Sequence, residues 1–134
     1  MARPTQEERL QIAAEMITNA TGLLFTAGAG MGVDSGLPDF RGKKGFWKAY
    51  PSLARRKMSF KSVAQGSIFK TQPRLAWGFY GHRLNLYRSV TPHSGFGILK
   101  RWGDAMADGY GVFTSNVDGH FQRAGLVDGP VCEQ

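Results

Sequence analysis

Phe25–Arg41, FTAGAGMGVDSGLPDFR, is the stretch whose reading decides the fold. It leaves a short apolar run, passes through Gly28, Gly30, Gly32 and Gly36, and closes on Pro38-Asp39-Phe40-Arg41, which is polar and aromatic beyond what a simple turn requires. Glycines without Cβ let a backbone approach an anionic ligand such as a pyrophosphate, and free N–H groups at the start of a following helix face the negative charge. On the glycines alone, an ordinary strand-to-helix turn fits equally well.

The segment lacks the common phosphate fingerprints. A G-x-G-x-x-G beginning at Gly28 meets Val33 where it needs glycine, and one beginning at Gly30 meets Ser35. From Gly36 to Gly42-Lys43 the spacing is one residue too long for a Walker loop, and Lys44 stands where a magnesium-binding hydroxyl belongs. What the segment resembles is the first loop of the sirtuins, the NAD-dependent protein deacylases, written G-A-G-I-S-x-x-S-G-I-P-D-F-R-G. Gly28-Ala29-Gly30, Ser35-Gly36 and Pro38-Asp39-Phe40-Arg41-Gly42 match it, and Gly45-Phe46-Trp47 is similar to the G-L-W that follows. Ala27, Met31, Gly32 and Leu37 depart from the pattern, trimming hydrogen bonds around the phosphates without abolishing the loop.

A second segment, Thr114-Ser115-Asn116-Val117-Asp118-Gly119 with Arg123-Ala124-Gly125, resembles the sirtuin T-Q-N-x-D-x-L-H-x-R-A-G. Ser115 stands for the usual glutamine and Phe121 for the histidine. Each segment follows a short apolar run, Leu23–Thr26 and Tyr110–Thr114, read as buried strands of a parallel sheet. Adjacent parallel strands bring their carboxyl ends together, where ligands bind in open α/β sheets. The implied fold is α/β, an incomplete Rossmann-like parallel sheet with flanking helices, residues 1–134 forming part of an NAD-binding domain.

By that resemblance, Asp118 holds the nicotinamide carboxamide and Asn116 orders the ribose or a water. Phe40 shields the reactive face, Asp39 and Arg41 fix the covering loop, and Gly28, Ala29, Gly30, Ser35 and Ser115 meet the rest of the cofactor. The alternative is purely structural: Asp118 and Asn116 form an Asx-type turn that caps a short helix through Arg123. The resemblance also implies an acyl-lysine protein or peptide substrate and a general-base histidine in the pattern V-x-E-x-H-G. Val131-Cys132-Glu133-Gln134 is similar to its first four positions, and the sequence stops where the histidine is due. His82, His93 and His120 occupy no matching position and read as surface or core histidines. The expectation is a piece of a longer enzyme, inactive and unstable alone. NAD hydrolysis or ADP-ribosyl transfer, and a binding module for ADP-ribose or nucleic acid, stay open beside deacylation.

Composition narrows the rest. With 134 residues, 42% of them hydrophobic, the chain suits one small domain. No apolar run approaches the roughly 18 residues of a membrane span, and Glu7 and Glu8 sit where a leader would be apolar, so a cytoplasmic location is expected. Cys132 is the single cysteine, which leaves the family's four-cysteine zinc module without ligands in these residues. Between Arg41 and Arg101 lie fourteen Lys or Arg and no Asp or Glu. Such a face attracts polyanions, with Lys43-Lys44 and Arg55-Arg56-Lys57 as its densest points, or is simply a solvated surface with acidic partners elsewhere.

Along the chain, Thr5 and Glu8 form a capping box for an amphipathic packing helix bearing Leu10, Ala13, Met16, Ile17 and Ala20. Residues 43–71 lose periodicity and read as a basic, aromatic cover loop or small helical subdomain, with short helices at 53–58 and 60–65. Pro73 opens a helix whose Ala76, Tyr80, Leu84 and Tyr87 line one core-facing side.

Overall fold

A computed structural model describes residues 3–39, 42–126 and 131–133. Helix α1, Gln6–Thr18, starts at the expected capping box: Thr5 Oγ1 accepts from Glu8 N at 3.2 Å and Glu8 Oε2 accepts from Thr5 N at 2.7 Å. Strand β1, Leu23–Ala27, leads into a 3-10 helix, Ala29–Ser35, that Gly36 ends with φ +92°, a left-handed conformation open to glycine at little cost. Helices α2 (Gly42–Ala49), α3 (Pro51–Arg55), α4 (Phe60–Val63) and α5 (Ile68–Thr71) follow, then α6, Pro73–Ser89, with Pro73 in its first turn. Helix α7, Ser94–Asp104, leads to β2, Tyr110–Thr114, then α8, His120–Arg123, and β3, Val131–Glu133.

The three strands form one parallel sheet in the order β1-β2-β3, with Phe25 opposite Val112 and Val112 opposite Val131. Parallel pairing places the carboxyl ends of β1 and β2 side by side, as the two sequence segments require. Under one face of the sheet lie buried Phe96, Val112, Phe121 and Leu126, joined by Phe25, Ala27 and Leu99. A second, separate core holds α2 to α6 together: Phe46, Leu53, Val63, Ile68, Ala76 and Phe79 are buried, with Trp47, Tyr50 and Phe60 around them.

Three packing expectations need correction. Helix α1 forms, yet none of its residues is buried, and Leu10 and Met16 are 63% and 70% exposed. Its periodicity defines an apolar side, but no described element covers that side. The apolar strand sequences imply burial, whereas Leu24 and Phe113 are exposed, because described helices cover only one face of the sheet. On α6 the buried side runs through Ala76 and Phe79, while Leu84 points to solvent. Phe79, which the periodicity passes over, takes its place in the core.

Candidate functional site

The cleft at the strand ends is assembled by a short relay of hydrogen bonds. Thr114, the last residue of β2 and fully buried, donates its hydroxyl to Ala27 O at 3.0 Å and accepts from Asn116 N at 3.1 Å. Ser115 N also donates to Ala27 O, at 3.3 Å. Asn116 then turns back, its Nδ2 donating to Gly28 O at 2.9 Å. These bonds lock the loop after β2 to the loop after β1, and burial makes each one costly to lose.

Asp118 does two things at once. Its Oδ1 accepts from His120 N at 2.9 Å, the Asp118 half of the structural alternative, whereas Asn116 takes no part in that turn and bonds Gly28 O instead. The residue nevertheless lines a cleft of about 320 Å³, with Ala29, Leu37, Asp39, Ser115 and Asn116 around it. Oδ2 lies above buried Gly32: a Cβ there would sit 3.6 Å from Oδ2 and 3.1 Å from Leu37 Cδ1. Glycine at position 32 therefore lets the loop tuck beneath the carboxylate. The turn and the cleft lining are two uses of one carboxylate, while the N-cap of α8 is Gly119.

Helix α6 supplies the opposite wall, through Arg83 and Tyr87, with Phe60 from α4. The Arg83 Nε donates to Tyr87 Oη at 2.8 Å, Nη2 donates to the same oxygen, and the guanidinium lies 5.4–5.8 Å from the rings of Phe60, Phe79 and Tyr87. Such stacking holds a planar cation at the wall of the cleft. Sequence reasoning misses this wall. Tyr87 and Arg83 are visible there only as members of an aromatic helix face, and nothing local marks which neighbour that face meets.

Ser35 sits away from Asn116, in the turn before Gly36, where its Oγ accepts from His93 N at 2.9 Å. His93 is a cross-link that the sequence does not reveal. Its Nδ1 accepts from Gly95 N at 3.0 Å, which assigns the proton to Nε2, and Nε2 donates to Met31 O at 3.0 Å. The imidazole thereby caps α7 and fastens it to the glycine loop. Gly30 is exposed, with open space where a Cβ would be. Gly28 and Ala29 open the 3-10 helix, Ala29 on the cleft itself. The expectations for Phe40 and Arg41 lie outside the described residues.

Of the three histidines, His82 is exposed and pairs with Tyr50 Oη at 3.0 Å, while burial pushes the Tyr50 phenol up to about 12. His120 is fully buried against the Phe96 ring, and among the described residues neither ring nitrogen makes a well-formed hydrogen bond, the Tyr87 backbone being a nearby polar influence. Burial pulls its imidazole below the ordinary histidine range; the Asp118 carboxylate opposes that shift and the Arg123 guanidinium adds to it. Fully buried and outside the cleft lining, His120 is a core histidine. No group of three or more metal-ligating side chains occurs among the described residues.

A protein-family model, that of the Sir2 family, matches residues 28–133, which begin at the glycine loop directly after β1 and include both loops, β2 and β3. The chain belongs to the Sir2 family. An NAD-dependent protein deacetylase of Saccharolobus solfataricus is 34% identical over 119 residues, covering 86% of this chain and 42% of that protein. An NAD-dependent protein deacylase of Aquifex aeolicus is 35% identical over 103 residues, covering 77% and 39%. A solved Sir2 homologue in complex with NAD superimposes with a TM-score of 0.69 at 25% identity, over 90% of this chain and 43% of the other. The sheet and its helices are thus part of the Sir2 fold, and the chain spans about two-fifths of the length of the curated relatives it matches.

Proposed function

We propose that this chain forms the nicotinamide-side portion of the NAD site in an NAD-dependent protein-lysine deacylase. One observation carries the reading: the glycine loop after β1 and the Asp118 loop after β2, joined by a hydrogen bond that spans 88 residues of sequence, share the walls of a single cleft. Its size suits part of a dinucleotide, small-molecule sites commonly being about 300–1,000 Å³. The donor set fits too. A carboxylate beside a buried asparagine suits an amide, and glycines with open space above them suit a phosphate.

NAD bound there supplies an ADP-ribosyl group whose bond to nicotinamide is the one broken. Asp118 Oδ2 would accept from the carboxamide N–H, while Oδ1 stays committed to His120 N, which holds the carboxylate in place. Asn116, pinned through Nδ2 to Gly28 O, keeps the two loops at fixed separation. Leu37, Pro38 and Val117 give the cleft an apolar wall that would exclude water from the bound ribose, and Asp39 lines the same cleft. Ser35 keeps its hydroxyl proton for a phosphate oxygen even while accepting from His93 N. Phe40, Arg41 and Ser115 complete the set by resemblance to the family loops, and the substrate is an acyl-lysine in a protein or peptide.

Two measurements on the full-length protein test this. Calorimetric titration with NAD should show binding that Asp118→Asn weakens at least tenfold, since the exchanged amide offers a donor where an acceptor is needed. Mass spectrometry of the products with an acetyl-lysine peptide should show acyl-ADP-ribose. Free ADP-ribose alone would move the assignment to NAD hydrolysis, and NAD binding untouched by Asp118→Asn would remove the site.

A further inference from the structure

The helical lobe carries a charge pattern of which the cleft takes only Arg83. Residues 42–89 contain eleven Lys or Arg and no Asp or Glu, so the lobe itself supplies no carboxylate to neutralise them. All ten acidic residues of the chain lie before Phe40 or after Gly103. Charge of one sign gathered over so small a body repels itself, a cost that a polyanionic partner lowers.

Two of these cations are gathered at one place. Arg56, after α3, and Arg74, in the first turn of α6, line a shallow cavity of about 510 Å³ together with Gln72, Pro73 and Leu75. One turn further along α6 stands Trp77, 68% exposed although it is among the largest apolar side chains of the lobe. Its indole is held edge-on to Phe69, with ring centres 5.1 Å apart, and Phe69 in turn stacks on Tyr80 at 5.2 Å and 27°. An indole fixed from one side and bare on the rest is a rigid platform beside a pair of guanidinium groups.

We propose that this face of the lobe binds single-stranded nucleic acid, phosphates meeting Arg56 and Arg74 and an unpaired base stacking on Trp77. Aromatic platforms interleaved with cations are how single strands are held without sequence preference, because every base has a π-face. A duplex hides those faces within its stack, and an acidic protein surface has carboxylates for the arginines but nothing that needs the indole. None of these residues lines the cofactor cleft, so the face is independent of the NAD site.

Fluorescence anisotropy of the full chain with a labelled oligodeoxythymidine, a duplex of equal length and poly-glutamate, each at several salt concentrations, tests it. The single strand should bind tightest, with affinity falling linearly in log–log against salt. Trp77→Ala should weaken it roughly tenfold without changing that slope. Arg56→Gln with Arg74→Gln should flatten the slope by about 0.7 for each phosphate no longer neutralised. All three residues are exposed, so circular dichroism and NAD affinity should match the parent protein. Poly-glutamate or duplex bound as tightly as the single strand, a Trp77→Ala variant that binds normally, or no binding at low salt would each overturn the proposal.

Discussion

The helical lobe and the sheet bury their apolar residues in different ways. In the lobe, Phe46 sits at the centre of a ring cluster, edge-on to Phe60 and Phe79 at 5.6 and 6.1 Å and tilted against Tyr50 at 5.5 Å. Helices α2 to α6 close around it. The sheet packs one face on Phe96, Phe121 and Leu126 and leaves Leu24 and Phe113 of the other in water, while Leu10 and Met16 of α1 are equally bare. A small body of helices can complete its own core; a parallel sheet needs a layer on each side. The described residues provide that layer on one side only.

Substitutions at matched positions sharpen the contrast, and the largest effect belongs in the lobe. Phe46→Ala should cost about 3–5 kcal/mol by denaturant unfolding, because it empties a volume that the rings of Tyr50, Phe60 and Phe79 surround. A loss below about 1 kcal/mol would mean that the lobe is loosely packed. Thr114→Val should cost about 1–3 kcal/mol, since it keeps the shape but leaves buried Asn116 N without its acceptor, while Ala27 O keeps only the donor from Ser115 N. The same variant should weaken NAD binding, which Phe46→Ala should do only through unfolding. Gly36→Ala should cost about 1 kcal/mol through its left-handed backbone alone. At the bottom of the scale, Leu24→Ser should change the stability of this chain by less than about 0.5 kcal/mol. A much larger loss would show that something covers the second face.

Acidification separates the two cores as well. His120 belongs to the sheet side, and its folded-state affinity for a proton is depressed, chiefly by burial. The unfolded chain then binds the proton first, so the contribution of neutral His120 to stability is complete above pH about 6.5 and is lost as pH falls below it. Urea unfolding at pH 7.5 and 5.5 should show that loss, and His120→Leu should reduce it. An unchanged pH dependence in His120→Leu would assign the effect to other groups.

Much of the glycine loop is legible in the sequence because it is local. Glycines at fixed spacing, Ser35-Gly36 and the Asn116-x-Asp118 pair are read within a few residues, and the parallel pairing of β1 and β2 then brings their loops together. The capping box at Thr5 and Pro73 at a helix start are legible for the same reason. Contacts between distant elements are not. The hydrogen bond from His93 to Met31 O spans 62 residues and leaves no mark on either neighbourhood. Arg83 and Tyr87 face the cleft because α6 crosses beside it, a choice that periodicity narrows to a helix side and tertiary packing makes. Helix α1 shows the converse: its apolar stripe can be read from the sequence, but a stripe does not say what covers it.

The most direct test is a crystal structure of the full-length protein with NAD. The nicotinamide carboxamide should lie between the loop at Asp39 and the carboxylate of Asp118, with its nitrogen about 2.9 Å from Oδ2 and the Asn116 to Gly28 hydrogen bond intact. Nicotinamide bound elsewhere, or the Asp39 and Asp118 loops drawn apart into separate cavities, would contradict it.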